Sequence, residues 1–313
     1  MEATPDAAEL LSYEDLRQLD GLVLAARRRV SGGEVGRHRG RGLGQSAEFH
    51  DFRSYVAGDE PRRVDWKLFG RTDRLYVRQY RHDAALRVHL IVDRSASMAY
   101  EEGGAGGGGG KWVHARRLAA GLAWLAAGQQ DRVRLTWLAD RAEPVVGEGR
   151  TPGHLRRLLA ALAAGRAAGR AEPERALVDA ASLGSRGGRG GEAGLTVVVS
   201  DLLDESERWL RGLGAMGWGD LMVLQVLSPS ELDPGGLGGG RLVDPERGRT
   251  VRTDPRRVAG DYRRRMGRYL EGIAEGVAGM GGQYALIRTD EPIGVGLRRA
   301  LAWRERARGA GLG

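Results

Sequence analysis

The stretch LIVDRSASM, from Leu90 to Met98, changes from apolar to polar within one residue. Its first three residues form a continuous apolar run, which is typical of a strand buried on both faces of a parallel sheet. Asp93 follows directly, and Ser95 and Ser97 add hydroxyl groups at two-residue spacing. Carboxylate and hydroxyl oxygens are hard donors of the kind that Mg²⁺, Mn²⁺ and Ca²⁺ prefer. The stretch therefore predicts a buried strand that ends in an oxygen-rich binding site.

Strand-like and helix-like segments alternate from Leu86 onward. Such alternation indicates a mostly parallel sheet with helices on both faces. We therefore predict an α/β domain over residues 86–306, preceded by an N-terminal helix and linker over 1–37 and a small β extension over 38–85. The N-terminal helix is expected from Tyr13 to Val30, where apolar residues recur at helical spacing. The expected strands are 86–92, 132–138, 144–146, 195–200, 221–227 and 283–288, the expected helices are 111–129, 154–164, 173–183, 205–213, 258–277 and 293–306, and a hairpin is expected over 241–251.

A second apolar strand, Leu195 to Ser200, also ends in an aspartate, Asp201. Parallel strands direct their carboxyl ends to one edge of a sheet, and ligands bind where the strand order reverses. We therefore expect Asp93 and Asp201 to meet there beside Ser95 and Ser97, as candidate ligands of Mg²⁺ or another divalent cation. The alternative is that these side chains cap helices and turns, since Asp and Ser commonly accept hydrogen bonds from helix N-termini.

The net charge of the 313-residue chain is +8, which makes nucleic-acid binding an alternative function. Among the 49 basic residues only Lys67 and Lys111 are lysines, and basic residues alternate with acidic ones in segments such as 204–208. Dispersed charge of this kind is typical of a solvated surface. We therefore expect no nucleic-acid partner.

Motifs of several enzyme classes are missing from the sequence. The chain contains no G-x-S-x-G elbow and no G-x-x-x-x-G-K-[ST] loop, and its six histidines do not have metal-ligand spacing. The remaining enzymatic alternative is a Mg²⁺-dependent phosphohydrolase with Asp93 and Asp201 as metal ligands. The chain lacks the D-x-D carboxylate pair of such a site, and no lysine is expected near the two aspartates. We therefore predict a binding module rather than an enzyme.

The sequence also bears on the compartment. Cysteine is absent, which excludes disulfides and thiolate metal sites and suits a reducing environment. The segment from Met1 to Asp6 lacks the basic and apolar regions of a secretory signal. No stretch reaches the ~20 apolar residues that span a bilayer. We expect a cytoplasmic protein without a membrane contact.

A longer pattern precedes the α/β region. The residues E-F-x-x-x-R-x-Y-x-x-G-D-x-x-R-x-V-D-W run from Glu48 to Trp66, and LIVDRSASM, Lys111, 200–202 and 242–246 follow in order. In these motifs the chain resembles the bacterial domain-of-unknown-function 58 family (DUF58), from about Arg39 to Trp303. The signature residues that carry the resemblance are Arg53, Tyr55, Gly58, Asp59, Arg62, Asp65, Trp66 and Arg71.

The resemblance implies a von Willebrand factor A-like domain whose four candidate ligands form a metal-ion-dependent-adhesion-type site. It also implies a MoxR-type AAA+ ATPase as partner, in the assembly or maturation of a client protein complex. A complete site of this type takes a further ligand from a threonine, and the corresponding position falls near Ala171. Glu172 is the alternative donor at this position. The resemblance therefore predicts a docking site in which one expected ligand is missing.

The Asp65-Trp66 pair has two interpretations. In the first, Trp66 fills a core and Asp65 pairs with a neighbouring arginine, because a buried acid normally requires such a partner. In the second, the pair belongs to a docking surface for another protein. We favour the structural interpretation.

Overall fold

The structure is a computed structural model that describes residues 10–24, 48–54, 71–72, 74, 76–81, 85–100, 110–185, 194–216, 220–237, 240–243, 250–253 and 255–309. Its helices and strands are, in chain order, α1 (Tyr13–Leu19), β1 (Glu48–Ser54), β2 (Tyr76–Arg81), β3 (Arg87–Asp93), α2 (Lys111–Gly128), β4 (Arg132–Leu138), β5 (Ala142–Gly149), α3 (Pro152–Ala164), α4 (Pro173–Ser185), β6 (Gly194–Ser200), α5 (Ser206–Gly214), β7 (Asp220–Leu227), α6 (Pro229–Leu232), β8 (Gly240–Val243), β9 (Thr250–Thr253), α7 (Pro255–Gly279), β10 (Gln283–Arg288) and α8 (Ile293–Gly309). Short 3₁₀ turns lie at Ala96–Ala99 and Pro234–Gly236.

The main sheet of the described residues has the strand order β10–β7–β6–β3–β4–β5. Strand β5 is antiparallel to β4, and every other neighbouring pair in this sheet is parallel. The register sets Val92 of β3 opposite Val199 of β6 and Trp137 of β4. Strands β3, β6 and β7 are buried along most of their length, because helices cover both faces of the sheet. The fold class predicted from the sequence is confirmed.

Successive side chains of strand β3 belong to two different apolar clusters. Leu90 and Val92 lie in the larger cluster, which includes residues of α2, α3 and α8. Ile91 points to the other face and lies in the smaller cluster, with residues of α4, α5 and α7. This alternation is the two-residue period of a strand. Each fully buried aliphatic side chain contributes roughly 1.5–3 kcal/mol, so both faces stabilise the sheet.

Helix α1 is shorter than its sequence pattern predicts. It ends at Leu19, and residues 20–24 are not helical, so the prediction of one helix from Tyr13 to Val30 is wrong; its last part, 25–30, lies outside the described residues. Gly21 has a φ angle of 77°, a left-handed conformation that interrupts a helix and that glycine adopts readily. Leu24 beyond it is buried in the larger apolar cluster without being helical. The apolar residues of this segment therefore reflect packing against the core rather than a continuous helix.

The chain divides into two compact units. The larger comprises residues 1–31 and 85–313, and the smaller comprises 32–84. Within the smaller unit, β1 and β2 pair antiparallel. In the larger unit, β8 and β9 form the predicted hairpin, whose turn lies outside the described residues. The sequence did not predict the short helix α6.

Candidate functional site

The strand order of the main sheet reverses between β3 and β6. From β3 the chain passes through α2 to β4 on one side, and from β6 it passes through α5 to β7 on the other. Asp93 is the last residue of β3, and Asp201 directly follows β6. The Ser200 hydroxyl donates to Asp93 Oδ2 over 2.6 Å and so connects the two strand ends. The structure thus brings the two aspartates to one edge of the sheet, at the place where open α/β sheets bind ligands.

Asp93 is fully buried, and both of its carboxylate oxygens accept hydrogen bonds. Oδ1 accepts the backbone N–H of Ser95 at 2.8 Å, and Oδ2 accepts the Ser200 hydroxyl. The pKa of Asp93 is raised to about 7, mainly by burial and in addition by the negative charge of Asp201. The hydrogen bonds to Asp93 offset only part of this increase. A charged Asp93 next to a charged Asp201 is therefore unfavourable unless a proton or a cation compensates it.

The hydroxyl of Ser95 lies beside Asp93, and the hydroxyl of Ser97 lies beside that of Ser95. Their Oγ atoms lie 3.0 Å apart, with Ser95 buried and Ser97 half-buried. Ser95 precedes a 3₁₀ turn, but its side chain makes no capping hydrogen bond to that turn. The Ser95 side chain therefore does not cap this turn. Local turn contacts do account for one oxygen of each aspartate, since Asp201 Oδ1 accepts the backbone N–H of Leu203 at 3.1 Å.

The second oxygen of Asp201 belongs to a buried ionic group. Lys111 Nζ lies 2.6 Å from Asp201 Oδ2 and 2.6 Å from Glu231 Oε1. The lysine side chain is only 1% exposed. Burial acts to lower the pKa of Lys111, but the charges of Asp201 and Glu231 outweigh it and hold this pKa above its ordinary value. Lys111 is therefore a charged residue inside the candidate site.

The segment between α3 and α4 passes beside the serine turn. The carbonyl of Gly169 accepts the N–H of Ala96 at 2.8 Å, and Gly169 adopts a φ of 93° that favours glycine. Ala171, near the position where the resemblance places a threonine, is buried. Glu172, the alternative donor, forms an ion pair with Arg208. Residues 165–172 contain no side-chain hydroxyl, so this segment approaches the site without supplying the expected ligand.

The comparisons with known proteins bear on this geometry. The sequence profile of the family described as "Protein of unknown function DUF58" matches residues 51–269, which include β3, α2 and β6. The chain belongs to the DUF58 family. The match covers Asp93, Lys111, Asp201 and Glu231, so the whole candidate site lies within the family region of this DUF58 protein.

Relatives of this DUF58 protein span most of its length. An uncharacterized protein of Mycobacterium tuberculosis (strain ATCC 25618 / H37Rv) is 28% identical over 300 residues, which are 93% of this chain and 90% of the relative. Among solved structures, the conserved hypothetical protein BatB from Bacteroides thetaiotaomicron is 16% identical, with a TM-score of 0.43, over 71% of this chain and 100% of that one. A von Willebrand factor type A structure from Catenulispora acidiphila is 14% identical, with a TM-score of 0.42, over 85% and 51%. Within its described residues, the DUF58 protein has no helix with the length and apolar character needed to cross a bilayer.

The donor set of the DUF58 site suits a divalent cation in part. Hydroxyls of Ser95 and Ser97 and carboxylates of Asp93 and Asp201 are hard ligands of suitable chemistry. The described residues contain no group of three or more His, Asp or Glu side chains placed to hold a metal ion. A cation here would therefore depend on the serine hydroxyls, on water and on an external ligand. Lys111 occupies Asp201 Oδ2, so this oxygen would have to leave the ammonium before it could bind a cation.

Sequence reasoning missed Lys111 and Glu231 as site residues, and its expectation of no lysine near the aspartates is wrong. One signal was available, because Lys111 is one of two lysines in a chain whose other basic residues are arginines. A lysine stands out in such a chain, because its compact ammonium and the planar guanidinium of arginine are not interchangeable.

The signature residues are mostly not part of this geometry. Arg53 lies in β1, and Arg71 is exposed. The other signature residues lie outside the described residues, and these are Tyr55, Gly58, Asp59, Arg62, Asp65 and Trp66. The two interpretations of Asp65-Trp66 therefore stay predictions.

Proposed function

We propose that this DUF58 protein is a non-catalytic protein-binding module that docks a partner at the carboxyl edge of its main sheet. Asp93, Ser95, Ser97 and Asp201 hold a divalent cation there, Mg²⁺ or one of similar chemistry, directly or through water. An acidic side chain of the partner completes the coordination, so no covalent bond is made or broken. The family resemblance suggests a MoxR-type AAA+ ATPase as the partner and the assembly or maturation of a client complex as the role.

The observation that carries this proposal is the placement of Asp93 and Asp201 at the switch point of the sheet. Lys111 balances the charge of Asp201, but burial and the nearby Asp201 still make a charged Asp93 unfavourable. Titratable groups with strongly shifted pKa values occur preferentially at functional sites, and a bound cation would favour the charged form of Asp93. The neighbouring hydroxyls of Ser95 and Ser97 make a divalent cation a suitable ligand.

Side chains around the cluster suit a protein partner. Leu203, two residues after Asp201, is 37% exposed, although it is a large apolar residue. Tyr100 is half-buried, and its Oη lies 3.1 Å from the Ser230 Oγ. Apolar and aromatic residues around a polar centre are typical of protein interfaces. This composition supports docking of a macromolecule at the edge.

Capture of the candidate ATPase, in Mg²⁺ and in EDTA, tests the proposal. Ser97→Ala removes one half-buried hydroxyl without leaving a buried charge unpaired, so the variant is expected to fold. Asp140→Asn is the matched control, because Asp140 is an exposed carboxylate that follows β4 at the same edge. We expect capture to fall at least tenfold in EDTA and in Ser97→Ala, and to be unchanged in Asp140→Asn. Capture that is insensitive to both EDTA and Ser97→Ala contradicts the proposal.

A Mg²⁺-dependent phosphohydrolase is the second candidate, because Lys111 adds a positive charge beside the carboxylate of Asp201. Both oxygens of Asp93 accept hydrogen bonds, however, so a nucleophilic attack by this carboxylate would require these bonds to break. Turnover of phosphoesters with Mg²⁺ that is lost in Asp93→Asn would favour this candidate. Complete inactivity of the wild type towards a phosphoester panel removes it.

A further inference from the structure

Lys111 connects three elements at the carboxyl edge. It is the first residue of α2, Asp201 follows β6, and Glu231 lies in α6 after β7. Its ammonium contacts one oxygen of each carboxylate at 2.6 Å and is almost inaccessible to solvent. The ammonium also lies 5.8 Å from the centre of the Tyr100 ring. The candidate site therefore already contains a cation that belongs to the protein.

Lys111 and a divalent cation would compete for the carboxylate of Asp201. Oδ2 of this residue is bonded to Lys111, and Oδ1 accepts the N–H of Leu203, so a cation that binds Asp201 competes most directly with the Lys111 ammonium. Two positive charges a few ångströms apart repel each other strongly in a buried site. A bound divalent cation and the Lys111–Asp201 ion pair therefore disfavour each other.

Glu231 gives Lys111 a second counter-charge. Its Oε1 binds Lys111, while its Oε2 accepts the backbone N–H of Ser228 at 2.9 Å in a capping box that fixes the side chain. The ammonium can therefore leave Asp201 and remain paired with Glu231. This arrangement reduces the free-energy cost of opening the site, because the buried lysine is never left without a carboxylate.

We propose that Lys111 is a built-in competitor of the divalent cation and controls access to Asp201. This inference rests on the proposed function. In the cation-free protein Lys111 binds both carboxylates, and in the loaded protein it binds Glu231 alone. The isolated protein therefore binds a divalent cation weakly, and an acidic group from the partner, as an added ligand, shifts the site to the loaded state. Cation and partner consequently bind with positive coupling, and each strengthens the other by the same factor.

The double variant Lys111→Met with Glu231→Gln tests the competition. It removes one positive and one negative charge, keeps side chains of similar length and leaves Asp201 without its internal cation. Arg117→Met is the matched control, because it removes a positive charge from the same helix, where Arg117 pairs with Asp15 at 2.7 Å. Mn²⁺ alone is the probe, and the electron paramagnetic resonance signal of free Mn²⁺ measures binding.

We expect the double variant to bind Mn²⁺ at least tenfold more tightly than the wild type, and Arg117→Met to match the wild type. Glu231→Gln alone confines Lys111 to Asp201 and is expected to weaken Mn²⁺ binding several-fold. This single variant decides the question if the double variant does not fold, as judged by near-ultraviolet circular dichroism.

Two results overturn the inference, and they differ in what they leave standing. If the wild type and a folded double variant bind Mn²⁺ with equal affinity, Lys111 does not compete and the proposed function remains. The same conclusion follows if the double variant does not fold and Glu231→Gln binds Mn²⁺ as tightly as the wild type. If neither the wild type nor any folded variant binds Mn²⁺, the proposed cation site fails and the competition fails with it.

Discussion

Replacement of Asp93 by asparagine is expected to stabilise the protein at pH 8. The pKa of this carboxyl is about 7 in the folded protein and 3.8 in the unfolded chain, so the folded state binds the proton more tightly. The free energy of unfolding of the wild type therefore falls as the pH rises from about 4 to about 7, and stays low above that range. A difference of about three pH units corresponds to about 4 kcal/mol.

Asparagine avoids this loss because it carries no charge. Its side-chain oxygen can still accept the N–H of Ser95, and its amide can donate to the Ser200 hydroxyl. Loss of the hydrogen bond from Ser200 to a carboxylate removes about 1–2 kcal/mol. We therefore expect Asp93→Asn to be more stable than the wild type by about 2–3 kcal/mol at pH 8, and no more stable at pH 4.

Urea unfolding in EDTA at pH 8 and pH 4, followed by tryptophan fluorescence, measures this difference. The control Asp140→Asn replaces an exposed carboxylate and should change the free energy of unfolding by no more than about 0.5 kcal/mol. If Asp93→Asn is less stable than the wild type at pH 8, the charged carboxylate is a net stabilising structural group. That result would refute the reasoning that an external cation is needed to compensate it.

Further predictions concern Lys111, His89 and Ala171. Lys111→Met leaves the buried Asp201 and the half-buried Glu231 without their shared cation and should lower the free energy of unfolding by about 3–5 kcal/mol in urea. Adding Glu231→Gln should recover part of this loss, and equal stability of the two variants would count against the ionic group. Burial lowers the pKa of His89 to about 3, so the folded protein keeps this ring neutral and loses stability as the pH falls below about 6.5. His89→Gln should therefore reduce the slope of the free energy of unfolding against pH by about 1.4 kcal/mol per pH unit between pH 6 and 4. An unchanged slope would contradict the assignment of this pH dependence to His89. Ala171→Thr supplies the hydroxyl that the resemblance expects and should tighten Mn²⁺ binding several-fold in calorimetric titration; weaker binding in a folded variant would exclude a ligand at this position.

The sequence predicts the sheet well because its central strands are buried on both faces. Predominantly apolar runs such as 195–200 are typical of strands that are buried on both faces. The polar residues at their ends mark the carboxyl edge of the sheet. The same reasoning predicts that Asp93 and Asp201 share that edge, since it needs only the direction and order of parallel strands. Hydrophobic spacing is less reliable for α1, where Leu24 is apolar because it packs on the core and Gly21 ends the helical path.

The ionic group of the site is harder to predict from sequence. In the sequence, 90 residues separate Lys111 from Asp201 and 120 residues separate it from Glu231. Their contact requires three elements to meet at one edge of the sheet. The start of α2, the end of β6 and helix α6 after β7 all lie there. Glu231 also lies in a helix of 4 residues, which is too short to give a periodic signal. The arrangement therefore emerges only from the three-dimensional structure.

Diffraction from crystals grown with Mn²⁺, measured at the manganese absorption edge, tests the cation site most directly. The account predicts an anomalous peak within about 2.5 Å of the Ser95 and Ser97 hydroxyl oxygens, with the Lys111 ammonium displaced from Asp201. Crystals that show no peak at this edge of the sheet, with Lys111 still bonded to Asp201 at saturating Mn²⁺, would contradict it.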